Sequence, residues 1–203
     1  MTTKLKIDSK KNPYRILHKA VGNFRDRLLE IREYPPQRRT VEISGKFYNL
    51  PFPYLIFLGE EFHRDIETFS LIFAKSPIKS LHSEVYTAPL PNVFLPTGHI
   101  CIGIQLDDNY GFDGLLNAFW QTAFKSYDYS GGDITALRKN YGSLKKWSEL
   151  TIDEALKKLK YKASTKRGKK MSDAYCINSI GDFLRLNAAI QVIKLNGETI
   201  DES

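Results

Sequence analysis

Two thiols occur in this chain of 203 residues, Cys101 and Cys176. Cys101 stands in the stretch LPNVFLPTGHICIG, residues 90–103, beside Pro91, Asn92, Pro96, Gly98 and His99. A thiolate is a strong nucleophile, and the thioester it forms reacts readily with amines. An amide side chain close to such a thiol can donate to the oxyanion of acyl transfer, where one donor is worth about 3–4 kcal/mol. Gly98 lets the connecting loop turn tightly. His99 precedes Cys101 by two positions, so on a strand the two share a face, and a charged imidazole there would lower the thiol pKa.

Each of these residues also has a plainer reading. Cysteine is among the most buried residue types, and HICIGI resembles the start of a strand. Asparagine is a common turn residue, and a histidine in a loop often meets only water. Asp107 and Asp108 could orient an incoming amine or simply occupy a turn. The residues alone leave both sets of readings open.

Other chemistries find less support. His18, His63, His82 and His99 are scattered, and there is no paired-cysteine motif, so no zinc site is expected. No glycine pattern matches a nucleotide-binding loop, and YSGGD lacks the lysine and helix start that would make it a phosphate cradle. No cofactor is expected.

Charge is the second chemical feature. The formal net charge is +7. Residues 157–170, KKLKYKASTKRGKK, carry eight basic side chains and no acid: Lys157, Lys158, Lys160, Lys162, Lys166, Arg167, Lys169 and Lys170. The first fifteen residues add five more against Asp8. Such a run attracts phosphate backbones or acidic protein surfaces, or is only a solvated loop. No apolar run is long enough to span a bilayer, and no secretory leader is visible at the start. A cytoplasmic, reducing location without membrane contact is therefore expected.

The elements that must position these residues follow from periodicity. Ile16, Leu17, Ala20, Val21, Phe24, Leu28 and Ile31 fall near one helical face, which predicts a helix over 13–32 ended by Pro35 and Pro36. Segments 39–50, 53–60, 68–75 and 83–89 are β-branched and aromatic, and their short connections favour an antiparallel meander. Residues 112–127 read as a helix with Leu115, Leu116, Phe119, Trp120 and Phe124 inward. Thr151 and Glu154 have capping-box spacing and open another helix. The order predicts an α+β fold, with helices on one face or at the ends of the sheet.

In order and in motif, the chain resembles ubiquitin-conjugating enzymes. That family has a helix, a four-stranded antiparallel meander, a His-Pro-Asn motif, a glycine turn and a catalytic cysteine in an Ile-Cys-Leu context. Here Pro91, Asn92, Gly98, Ile100 and Cys101 match, Ile102 follows where the family has leucine, Leu90 stands where the family has histidine, and the Asn92–Cys101 loop is one residue longer. WSELTIDEAL, residues 147–156, is similar to the family's Trp-Ser-Pro-x-Leu-Thr-Ile segment. PLPNVF and NAFWQTAF further resemble a divergent prokaryotic branch, the PRTRC system protein B family, which lacks the motif histidine and keeps the cysteine.

The resemblance implies a basic arm (1–12), a helix, sheet and cysteine loop (13–106), a helical insertion (107–142) and a C-terminal helical region (143–203). It implies Cys101 as nucleophile and acyl carrier and Asn92 as oxyanion donor. The partners would be a ubiquitin-like protein and an activating enzyme. The alternative keeps the fold without catalysis, as an interaction or structural subunit of a larger assembly that contacts nucleic acid through the basic loop.

Overall fold

The computed structural model describes residues 14–21, 27–62, 65–94, 97–101, 111–121, 124, 133–162, 164–166, 174–187, 194–195 and 198–199. In chain order the elements begin with β1 (Arg15–Val21), β2 (Arg27–Tyr34), β3 (Gln37–Ile43), β4 (Lys46–Phe52), β5 (Tyr54–Phe62) and β6 (Asp65–Ala74). Three short strands follow, β7 (Tyr86–Thr87), β8 (Val93–Phe94) and β9 (His99–Ile100). Then come helices α1 (Gly111–Gln121), α2 (Asp133–Asn140), α3 (Leu144–Ser148) and α4 (Ile152–Lys158). The C-terminal part holds β10 (Ser164–Lys166), β11 (Ala174–Cys176), α5 (Ile180–Asn187), β12 (Lys194–Leu195) and β13 (Glu198–Thr199). This is an α+β architecture.

The helix expected over 13–32 is not there. Its described residues belong to β1 and β2, paired antiparallel. The apolar positions fit a helical face, but Leu29 and Ile31, both fully buried, also alternate along a strand. Tertiary pairing decides: every residue of β2 has a partner on β5, from Arg27 opposite Phe62 to Tyr34 opposite Leu55. The expected strand over 39–50 is two strands, β3 and β4, reversing at Ser44 and Gly45, both with positive φ. Two consecutive left-handed residues suit a tight hairpin.

The main sheet runs β1-β2-β5-β6-β9-β8, with β7 also on β6. Its first four strands are an antiparallel meander interrupted by the β3–β4 hairpin, which forms a sheet of its own. Both faces of the sheet are covered. Leu55, Phe57, Phe69, Leu71 and Phe73 face one core, shared with α1, α3, α4 and the β3–β4 hairpin. Ile56, Leu58, Ile72 and Ala74 alternate to the other face, where Ile180, Phe183 and Leu184 of α5 pack. Helices therefore lie on both faces, not on one. A sheet whose central strands are apolar on both sides needs both covers.

The helix expected over 112–127 stops at Gln121. Phe124 is buried instead as a bridge to β3, donating to the Glu42 carbonyl at 2.9 Å and accepting from the Ser44 N–H at 3.0 Å. Its backbone thus satisfies itself on a strand edge. Leu115, Leu116 and Phe119 are buried as expected, and Trp120 is partly buried.

The capping box is present. The Thr151 hydroxyl accepts from the Glu154 N–H at 3.2 Å, and the Glu154 carboxylate accepts from the Thr151 N–H at 2.7 Å. Those bonds hold the Glu154 carboxyl below its ordinary pKa, the backbone bond contributing most. Just upstream, Trp147 is fully buried and its Nε1 donates to the Pro51 carbonyl at 3.1 Å. Tyr141 stacks on it with centroids 4.4 Å apart.

Arg32 fixes the start of α1. Its guanidinium lies between the rings of Tyr14 and Phe112, bonds Glu30 at 2.5 Å and pairs with Asp113. Burial alone would lower its pKa, but the hydrogen bonds to Glu30 and Asp113 outweigh that and raise it. Opposite, Gly59 leaves room for the Phe112 ring, because a Cβ there would come within 2.7 Å of it. The start of α1 is thereby anchored to the sheet.

Candidate functional site

The β8–β9 hairpin builds the site. Val93 opposes Ile100, and Phe94 opposes His99. Val93 and Ile100 are buried. Side chains alternate along a strand, so Asn92, Phe94, His99 and Cys101 stand on the opposite face. Their exposure agrees: Phe94, His99 and Cys101 are exposed and Asn92 is half-buried.

Extending the register by one pair places Asn92 across from Cys101. The Cys101 N–H donates to the Asn92 carbonyl at 2.9 Å. Directly opposed residues in such a ladder have Cβ atoms about 5 Å apart. The structure thus brings together Asn92 and Cys101, and sets His99 on the same face two positions from the thiol. The buried-thiol reading of Cys101 does not hold.

Gly98 makes this geometry possible. Its φ is +75°, and a Cβ there would lie 2.6 Å from the Leu71 carbonyl oxygen. That close approach matters because the Gly98 carbonyl accepts from the Leu71 N–H at 2.8 Å, fastening the hairpin to β6. The Gly98 N–H closes the turn onto the Phe94 carbonyl at 2.8 Å. Leu90 is fully buried, and its carbonyl accepts from the Val93 N–H at 3.0 Å. Its apolar side chain anchors the entry to the hairpin.

Phe94 escaped the sequence reading. Its signal is the two-residue period that also links Asn92 to it, which becomes legible only once Val93 is known to face inward. Asp107 and Asp108 lie outside the described residues.

Of the basic run, Lys157, Lys158 and Lys160 are exposed and Lys162 is half-buried. Lys166 ends β10, Arg167, Lys169 and Lys170 lie outside the described residues, and so does the arm at 1–12. Lys162 bonds Glu84 at 2.8 Å. That bond, and a second from the Tyr86 hydroxyl, hold the Glu84 carboxyl below its usual range. Tyr86 is pushed up to about 12, by burial first and then by Glu84. Sequence reasoning also missed Arg138 and Lys139, which sit in the last turn of α2. Among the described residues, no group of three or more His, Cys, Asp or Glu could hold a metal ion. No helix among them is long and apolar enough to cross a membrane.

The class these observations define is an α+β protein with a thiol displayed on a short hairpin at the flank of an antiparallel sheet. Compared with family models, curated proteins and solved structures, the chain matches none.

Proposed function

We propose that the chain is an acyl carrier of the ubiquitin-conjugating kind, holding a ubiquitin-like protein as a thioester on Cys101. The observation that carries this reading is the exposed thiol of Cys101, whose backbone N–H bonds the Asn92 carbonyl at the end of a two-stranded ladder. The Cys101 thiolate attacks the C-terminal carbonyl carbon of a modifier held as a thioester on an activating enzyme. A new C–S bond forms, the old one breaks, and the activating enzyme's thiolate leaves. An amine then attacks the same carbonyl, an amide forms, and the Cys101 sulfur leaves with the electron pair while the amine loses its proton to solvent or base. In both tetrahedral intermediates the Asn92 amide N–H donates to the oxyanion, so Asn92→Ala should slow transfer by about 10²–10³-fold.

A second reading, the same fold serving as a non-catalytic interaction subunit, draws on two observations. Leu90 is buried where the family's motif has histidine, and a strand pair replaces the family's first helix. One experiment separates the two. With an activating enzyme, ATP and the cognate ubiquitin-like protein, the wild type should form a thiol-reducible adduct, lost in Cys101→Ala and kept in Cys176→Ala. No adduct, or an adduct on Cys176, would leave the second reading standing.

A further inference from the structure

The basic run of the sequence is one part of a larger cationic surface that the fold assembles. Asn140, at the end of α2, accepts through Oδ1 from the Lys160 and Tyr161 N–H groups at 3.0 and 2.8 Å. That clamp fastens the segment after α4 against the end of α2. Lys139 there lies over the Tyr161 ring, 4.8 Å from its centroid. The Thr87 N–H donates to the Tyr161 carbonyl at 3.2 Å, which joins the same segment to β7. The ring of Tyr86, on β7, is met by both Lys162 and Lys75, at 5.2 and 5.0 Å from its centroid. Cations from the end of β6, from α2 and from the segment after α4 therefore meet, with Glu84 as the acid paired among them.

We propose that this surface, formed by Lys75, Arg138, Lys139, Lys160 and Lys162, binds the phosphate backbone of nucleic acid without reading its bases. Two features favour nucleic acid over an acidic protein. Four of the five cations are lysines, whose compact charges on long stems suit phosphates at variable positions. A protein interface needs an apolar centre with large anchoring side chains. The exposed large apolar side chains among the described residues, Ile16, Phe47 and Phe94, lie on other elements.

The surface is separate from the thiol. On the same flank of β6, Phe73 pairs with Tyr86 while Ser70 pairs with His99. Those two rows are three residues apart, roughly 10 Å along the strand, and Cys101 lies further still in the direction away from Tyr86. Binding here does not depend on the acyl-carrier reading.

Fluorescence anisotropy with two labelled DNA duplexes of unrelated sequence tests the proposal, with the full chain and increasing salt. Both duplexes should bind equally, with affinity falling steeply as salt rises. The variant Arg138→Gln/Lys139→Gln/Lys160→Gln/Lys162→Gln should bind about tenfold or more weakly, with a salt slope shallower by about 3–4. Lys160→Glu alone, at an exposed position, should weaken binding measurably and serves if the fourfold variant does not fold. Thioester formation on Cys101 should be unchanged in either. Absence of binding at low salt, or undiminished binding by these variants, would overturn the proposal. So would displacement of the duplex by polyglutamate at equal charge concentration, which would point to an acidic protein.

Discussion

The neighbourhood of Trp147 and the neighbourhood of Cys101 are built by opposite rules. Trp147 is enclosed on every side: Phe52 and Phe73 meet its ring, Tyr141 stacks on it, and its one donor bonds Pro51. The Cys101 hairpin is enclosed on one side only. Val93 and Ile100 anchor it inward, and Asn92, Phe94, His99 and Cys101 are left outward. Stability is concentrated in the first region and displayed chemistry in the second. Substitutions in the two should therefore separate folding from reactivity.

The largest effect belongs to the enclosed region. Trp147→Ala should cost about 3–5 kcal/mol, because it removes a fully buried ring and leaves a cavity, and denaturant unfolding will measure it. A loss below about 1 kcal/mol would mean that Trp147 is not the keystone of that core.

Gly98→Ala should come next, because it strikes the join between the two regions. It places a Cβ against the Leu71 carbonyl in left-handed backbone, a strain of about 1–3 kcal/mol. It should also move the Cys101 face, so acyl transfer and stability should fall together. An undisturbed melting temperature would contradict the close approach of hairpin and β6.

Smaller still is the cap of α4. Thr151→Ala should cost about 1 kcal/mol. Glu154→Gln probes the same cap by pH. The folded state holds this carboxyl below its ordinary value, so its contribution is present above about pH 4.3 and is lost as pH falls through the lower folded value. Melting temperatures of wild type and Glu154→Gln should differ at neutral pH and converge in acid.

The smallest stability effect is expected at the thiol itself. Cys101→Ser should change unfolding free energy by no more than about 0.5 kcal/mol, since the side chain is exposed. A large destabilisation would place that sulfur inside the core and erase the contrast.

How much of this was legible in the sequence varies with the range of the cause. The Thr151–Glu154 cap was legible, because both partners lie within one helical turn. The inward faces of α1 were legible from a period of 3.6. The pairing of β1 with β2 was not, because seven apolar residues fitted a helix and only β5, some thirty residues on, selects the strand. The end of α1 was missed for the same reason: Phe124 is held by Glu42 and Ser44, far upstream. At the candidate site, Asn92, Gly98 and Cys101 were named through the resemblance of their segment to a conjugating-enzyme motif; the residues alone left their roles open. Phe94, and the gathering of Arg138 and Lys139 beside Lys160, depend on which faces turn inward and on long-range clamps such as Asn140.

The most direct test of the central claim uses a small activated probe, a peptide thioester ending in Gly-Gly, mixed with native protein and read by intact mass. Alkylation of native Cys101 by iodoacetamide serves as the control for access. Acyl transfer should appear on Cys101, vanish in Cys101→Ala and slow markedly in Asn92→Ala while alkylation stays unchanged. A thiol that alkylates freely yet accepts no acyl group, or accepts it equally well without Asn92, would contradict the account.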